Sequence, residues 1–299
     1  MPRVLISDKM ELPGLEILRN AGIELDERPG LKGEELKAAL RLADGVVVRS
    51  GTRITADLIE NPGKLRVIVR GGVGVDNIDV AAATRKGIVV MNTPDANTFS
   101  TAEHTISLLM SMARHVPAAD ASMRAGKWEK SKFLGCQLTG KTLGVLGLGR
   151  IGREVARRAA NGLDMKVIGY DPVLAPTAAT QLGIETFASV DEILPKCDFI
   201  TVHTPLTEQT KDMIGAKQVA LLPKGARVIN CARGGIINEQ AVIDGINSGH
   251  LAGAAFDVFV EEPMTPDHAF LKMPNVVITP HLGAATAEAQ LLVAKESAQ

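Results

Sequence analysis

Three polar residues in the second half of the chain have the types needed for proton and carboxylate chemistry. They are Arg233 in Asn230-Cys231-Ala232-Arg233-Gly234-Gly235, Glu262 in Val260-Glu261-Glu262-Pro263, and His281 in Thr279-Pro280-His281-Leu282-Gly283. Arginine holds a carboxylate through two-pronged charge-assisted hydrogen bonds, each worth about 1.5–3 kcal/mol. Histidine exchanges a proton near neutral pH, and a neighbouring carboxylate fixes its tautomer and raises its basicity. With a nicotinamide to take a hydride, such a set suits a 2-hydroxy acid: one group holds the carboxylate and another removes the hydroxyl proton. Singly, each residue is ambiguous, since a lone histidine or a glutamate after a strand is more often structural or solvated.

A nucleotide partner for that set is written in the middle of the chain. Leu143 to Gly152 contains a G-x-G-x-x-G run formed by Gly147, Gly149 and Gly152. Gly147 permits a tight strand-to-helix turn, Gly149 lets the backbone approach a pyrophosphate, and Gly152 lets the helix pack closely on the strand. The helix N-terminus that follows favours phosphate oxygens. Asp171 ends a second apolar run about 20 residues onward, where a carboxylate accepts from ribose hydroxyls and repels a 2′-phosphate. Pro172 and Val173 follow it and offer no arginine for such a phosphate. NAD is therefore expected rather than NADP.

These residues need a scaffold, and the alternation of short apolar runs with helical patterns supplies one. In the first part, strands are expected at Val4–Ile6, Gly45–Val48, Arg66–Val69 and Ile88–Met91, with helices at Leu12–Ala21, Ala56–Ile59 and Ile78–Arg85. Thr93-Pro94-Asp95 breaks the pattern and suggests a hinge. Thr98 to Met123 reads as a long helical stretch interrupted near Pro117, and strands resume at Phe199–Val202, Arg227–Ile229, Ala252–Phe256 and Val276–Ile278. Such alternation indicates parallel sheets flanked by helices. The expected fold is α/β, with two doubly wound parallel-sheet domains: a flavodoxin-like substrate domain over 1–94 with a return at 284–299, and a Rossmann NAD-binding domain over 95–283. The closing helical pattern stops without a glycine cap or a following element, which suggests a truncated catalytic core.

Composition narrows the partners. A chain of 299 residues, 45% of them hydrophobic, is long enough for two domains with their own cores. With 33 basic against 34 acidic residues, the formal charge of −1 gives no electrostatic case for nucleic acid or a membrane surface. No apolar stretch reaches the length of a membrane span. Cys136, Cys197 and Cys231 are too few and too widely spaced for a disulfide framework or a zinc site, so reduced thiols, no metal and a cytoplasmic setting are expected.

Taken together, the stretches Val47-Val48-Arg49-Ser50, Gly74-Val75-Asp76-Asn77-Ile78-Asp79, Met91-Asn92-Thr93-Pro94, Gly126-Lys127-Trp128-Glu129, the glycine fingerprint, Val202-His203-Thr204-Pro205, Asn230 to Gly235 and Pro280-His281-Leu282-Gly283-Ala284 are highly specific. The chain resembles the D-isomer-specific 2-hydroxyacid dehydrogenases over nearly its whole length. The resemblance is nearest to the branch that oxidises 3-phospho-D-glycerate to 3-phosphonooxypyruvate with NAD, on the phosphorylated route to L-serine. It implies that Arg233, Glu262 and His281 are catalytic, with Glu262 rather than Glu261 paired to His281. It implies that Arg150, Ile151, Asp171, Thr204, Cys231, Asp257 and His281 line the NAD site, Asp257 meeting the nicotinamide carboxamide. Arg49 and Arg70 are implied to meet the phosphate, and the turn of Gly72, Val73 and Gly74 the substrate carboxylate, with Asn97 assisting. Two departures stand out: Val73 replaces a threonine that relatives often have, and Lys130 replaces an arginine that reaches the phosphate in some. A homodimer through the long helix of the NAD-binding domain is also implied. A glyoxylate or hydroxypyruvate reductase on the same scaffold is the nearest rival, for which Arg49 and Arg70 would be of less use.

Overall fold

Short β-branched and apolar runs separated by amphipathic helices fold as two all-parallel sheets, the arrangement in which buried strands need apolar residues on both faces. The computed structural model describes residues 1–174 and 183–299. It divides into two units, Met1–Thr98 with Ala284–Gln299, and Phe99–Gly283.

In the first unit the strands are β1 (Arg3–Ile6), β2 (Glu24–Glu27), β3 (Gly45–Val48), β4 (Val67–Arg70) and β5 (Val89–Asn92), in the order β2-β1-β3-β4-β5. Helices α1 (Leu12–Asn20), α2 (Gly33–Leu42) and α3 (Val80–Arg85) cover the sheet. The closing helix, Ala287–Ala298, packs on α1, where Gly14 leaves no room for a side chain: a Cβ would lie 2.5 Å from the Ala294 carbonyl oxygen. All four residues of β3 are buried, which is what a central strand covered on both faces requires.

The second unit opens with α4 (Thr98–Ala113) and α5 (Val116–Arg124) and then builds a seven-stranded sheet. Its elements are β6 (Thr142–Leu146), α6 (Arg150–Leu163), β7 (Lys166–Tyr170), β8 (Glu185–Thr186), β9 (Phe199–Val202), α7 (Ala216–Leu221), β10 (Ala226–Asn230), α8 (Glu239–Asn247), β11 (Leu251–Phe256) and β12 (Val276–Ile278). The strand order is β12-β11-β10-β9-β6-β7-β8. Successive residues of the central strands bury on opposite faces: Ile200, Val228 and Ala254 join one cluster, while Phe199, Ile229 and Ala255 join the other. Among the described residues no helix is long and apolar enough to cross a membrane.

Some local expectations are corrected. Ala56–Ile59 forms turns rather than a helix, because Pro62 disfavours helix at Asn61 and Gly63 adopts a φ of +63°. Strand β2 and helix α2 were not anticipated. The helix from Thr98 breaks before Pro117, at Arg114–His115. A proline ring at 117 clashes with the carbonyl four residues earlier, so the helix ends at Ala113, whose oxygen accepts the Cys136 N–H instead (3.0 Å). Pro117 then sits in the first turn of α5, where its missing N–H costs nothing.

Phe256, fully buried at the end of β11, has its ring centroid 4.8 Å from that of Phe270. Phe256→Ala is expected to lower the unfolding free energy by about 3–5 kcal/mol in urea titrations. A loss under about 1 kcal/mol would contradict this packing.

Candidate active site

Strand β6 lies between β7 and β9, where the strand order reverses and where open α/β sheets bind ligands beyond the carboxyl ends of their strands. The chain leaves β6 through Gly147, whose φ is +98°. A Cβ there would lie 2.7 Å from the His203 carbonyl oxygen and 2.9 Å from Thr204 Cγ2. At Gly152 a Cβ would fall 1.9 Å from the Gly147 oxygen, so only glycine lets α6 start this close to the turn. Gly149 is different: a Cβ would meet nothing within 4 Å, and no side chain caps the helix that Arg150 and Ile151 begin. The N-terminal N–H groups of a helix have no intrahelical acceptor, so this open end suits an anion.

Two further groups fit a dinucleotide. Thr204 Oγ1 is buried with no hydrogen-bond partner among the described residues, an orphan that a ligand oxygen would satisfy. Asp171 Oδ2 accepts the Leu148 N–H (2.8 Å), and its Oδ1 accepts those of Val173 (2.9 Å) and Leu174 (3.2 Å). The carboxylate thus stitches β7 to the glycine turn and keeps one of about four acceptor positions for a further donor. Cys231 is buried against Thr105, and burial, reinforced by the charge of Asp257, pushes its thiol up to about 12. It is a neutral, apolar wall.

The Arg-Glu-His set is assembled within the second unit. Asn230, fully buried at the end of β10, accepts the Ala232 N–H through Oδ1 (3.0 Å) and donates through Nδ2 to the Arg233 carbonyl (2.8 Å). The guanidinium folds back to donate from Nη1 to the Ala232 carbonyl (2.6 Å). A Cβ at Gly234 would lie 1.9 Å from the Phe259 oxygen, so the Arg233 loop presses directly on the backbone that leads to Glu262. Glu262 Oε1 accepts the Phe259 N–H (2.9 Å) and Oε2 stands 2.7 Å from His281 Nδ1. Burial pushes the Glu262 carboxyl up. The His281 hydrogen bond, the Phe259 N–H and the positive charges of His281 and Arg233 outweigh it and hold the group below its usual value. Glu262 is therefore an anion, Nδ1 carries the hydrogen between them, and Nε2 is left for proton exchange.

Asp257 occupies a position that its sequence context did not reveal. It is 1% exposed at the end of β11. Its Oδ1 accepts from Leu282 N–H (2.7 Å), Thr279 Oγ1 (2.5 Å) and His104 Nε2 (3.1 Å), and its Oδ2 from Gly283 N–H (2.8 Å). Three protein donors crowd Oδ1, whereas Oδ2 accepts only from Gly283 among the described residues and keeps acceptor capacity of the kind a nicotinamide carboxamide would use. Burial pushes this carboxyl up as well, and the donors from His104, Thr279 and Leu282 hold it below its usual value. Its ligands flank His281, whose φ of +56° is rare for a residue with a side chain and costs about 1–2 kcal/mol.

The residues expected to meet substrate lie mainly in the first unit, at the carboxyl ends of adjacent strands in register. Arg49 donates its N–H to Asp8 Oδ2 (2.6 Å), and its Nη1 lies 3.7 Å from Glu11 Oε2. Arg70 Nη1 donates to the Gly71 carbonyl (3.1 Å). Gly72 has a φ of +139°, and a Cβ there would sit 1.4 Å from Arg70 Nη1, so a side chain at 72 would displace that guanidinium. The Val73 carbonyl accepts from Asn92 Nδ2 (2.6 Å), Gly74 continues the same loop, and Asn97 Oδ1 is buried without a partner among the described residues. Lys130 is exposed on a 3-10 turn of the second unit, Lys130–Phe133. Sequence reasoning missed Asn230, His104 and Glu239, which accepts the Val260 N–H (2.9 Å) and pairs with His268 (3.2 Å) beneath the Glu262 loop. Polar residues closing an apolar strand or opening a helix were the available signal.

Residues 106–283 match the family described as D-isomer specific 2-hydroxyacid dehydrogenase, NAD binding domain. The chain belongs to that family. It is 50% identical over 99% of its length to D-3-phosphoglycerate dehydrogenase of Homo sapiens and 47% identical over 97% to that of Methanocaldococcus jannaschii. It spans about half the length of these curated relatives, 55% in each case. Among solved structures, the TT0316 protein from Thermus thermophilus is similar at 34% identity and a TM-score of 0.90, over 99% of this chain and 94% of that one. The family's cofactor is NAD, and the glycine turn, Asp171 and the orphaned Thr204 hydroxyl fit it.

Because Glu262 is held below its usual 4.5, the unfolded chain takes up more protons on acidification. The stability it contributes is full above that value and is lost as pH falls through the lowered one. The melting-temperature gap between the native protein and Glu262→Gln should therefore be widest near neutrality and shrink below about pH 4.5. A gap constant from about pH 7 to about pH 3.5 would contradict the charge assignment.

Proposed function

We propose that the protein catalyses the NAD-dependent oxidation of 3-phospho-D-glycerate to 3-phosphonooxypyruvate, the opening step of the phosphorylated route to L-serine. The observation that carries the chemistry is the 2.7 Å contact of His281 Nδ1 with the ionised Glu262, beside Arg233. The substrate rests on the relatives named D-3-phosphoglycerate dehydrogenase, which match this chain at up to 50% identity.

Arg233 holds the substrate carboxylate in a two-pronged contact that fixes C2 and its hydroxyl. His281 takes the hydroxyl proton at Nε2, and Glu262 stabilises the imidazolium that forms. NAD, when bound, accepts the hydride from C2; Gly147, Gly149, Arg150, Ile151, Gly152, Asp171 and Thr204 would hold it. In the reverse direction His281 returns the proton to the carbonyl oxygen. We assign the phosphate to Arg49 and Arg70, and the carboxylate's backbone donors to the loop of Gly72, Val73 and Gly74. Lys130 keeps the charge of an arginine but not its planar fork, so its contribution to phosphate binding is smaller. The homodimer is assigned to the second unit, where the apolar side chains of Val116, Met123, Trp128 and Leu134 are 53%, 54%, 81% and 88% exposed.

NADH consumption with 3-phosphonooxypyruvate, hydroxypyruvate and glyoxylate at equal concentration tests the assignment. The phosphorylated acid is expected to be preferred, with the preference lost in Arg49→Ala and Arg70→Ala, and His281→Ala is expected to lower kcat by about 100- to 10,000-fold. Preference for the unphosphorylated acids would move the protein to the reductase branch, and full activity of His281→Ala would refute the mechanism.

A further inference from the structure

We infer that His104 is a positioning residue for His281, acting through Asp257 and Thr279. His104 lies on α4, one turn beyond Ser100 and Thr101, with 18% of its side chain exposed. Its Nε2 stands 3.1 Å from Asp257 Oδ1 and 3.0 Å from Thr279 Oγ1. The Thr279 hydroxyl has one hydrogen and gives it to Asp257 (2.5 Å), so it cannot also donate to the histidine. Nε2 must therefore carry a hydrogen, shared between Thr279 Oγ1 and Asp257 Oδ1.

The rest of α4's first turn grips the other end of the same loop. The Gly283 carbonyl accepts from Ser100 Oγ (2.7 Å) and Thr101 Oγ1 (3.2 Å). Thr279 and Gly283 bracket His281, whose own N–H donates to the Thr279 carbonyl (3.0 Å). The helix thus clamps both feet of a turn that carries His281 at its apex in a left-handed conformation. Glu262 fixes only the rotation of the imidazole ring through Nδ1; the backbone that aims the ring needs its own restraint. Without the Nε2–H donor, Thr279 Oγ1 loses a partner and Asp257 Oδ1 keeps two of three, so the foot of the turn at Thr279 is held less firmly than the foot at Gly283.

This inference rests on the reading of His281 as the proton-exchanging group, and its test separates the two. His104→Leu removes the donor at similar volume, while His104→Gln restores an N–H near the position of Nε2. Amide hydrogen exchange at Leu282 and Gly283, followed without substrate, reads the loop alone. His104→Leu should speed that exchange about tenfold and lower kcat about tenfold, with KM for the keto acid and the NADH dissociation constant within about twofold. His104→Gln should recover both rates to within about threefold. If His104→Leu does not fold, Thr279→Val, which removes the other partner on the turn, should speed the same exchange. Unchanged exchange, faster exchange with unchanged kcat, or equal behaviour of the Leu and Gln variants would overturn the inference. If the native protein turned over none of the keto acids, the dehydrogenase reading would fail while the exchange arm still decided whether His104 holds the loop.

Discussion

The buried carboxylate of Asp257 is the interaction on which the rest of the site depends. An isolated anion in such a place costs several kcal/mol, and it persists because four donors surround it. Those donors come from α4 and from both sides of His281, so satisfying the charge also fixes the backbone that aims the imidazole. The same residue ties sideways: the Asp257 N–H donates to the carbonyl of Asn230 (2.9 Å), whose side chain holds the Arg233 loop. Two buried polar side chains at the ends of neighbouring strands thereby carry the loops of two functional residues, and Glu262 joins them through the backbone packed under Gly234.

Sheet order explains why the cofactor turn falls on the same side. Every pairing in the second unit is parallel, so all strands deliver their carboxyl ends to one edge, and the reversal at β6 opens the space beyond Gly147. The glycines make that edge approachable for two separate reasons. Gly147 and Gly152 are required by contacts that a side chain would violate, whereas Gly149 leaves open space above a helix end that favours phosphate. The Asp171 carboxylate does double duty there, bracing the turn with three backbone donors while keeping acceptor capacity.

The α/β class, the strands with uninterrupted apolar runs and the glycine fingerprint were legible in the sequence, because buried parallel strands and nucleotide turns leave local composition signals. Strand β2 was not, since Glu24, Asp26 and Glu27 leave no apolar run to mark it; at the edge of the sheet these acids pair with Arg3, Arg28 and Arg19. The helix break near Pro117 was legible as well, and it falls at Arg114–His115 because the ring's clash acts on the carbonyl of Ala113, four residues earlier. In the candidate site, Arg233, Glu262 and His281 stand out by residue type near the ends of expected strands, and the structure brings Glu262 and His281 together. The donor set around Asp257 could not be read in advance, because His104, Thr279 and Gly283 meet it only after folding, across a separation of up to 153 residues.

The central claim is that Asp257 holds the His281 turn on which the proposed reaction depends. The most direct test is single-turnover reduction of 3-phosphonooxypyruvate by NADH-saturated protein, native against Asp257→Asn, with NADH affinity measured in parallel. The substituted amide presents a donor to the Gly283 N–H, so the hydride rate at NADH saturation should fall on the order of 100-fold. An unchanged hydride rate at saturation would contradict the account.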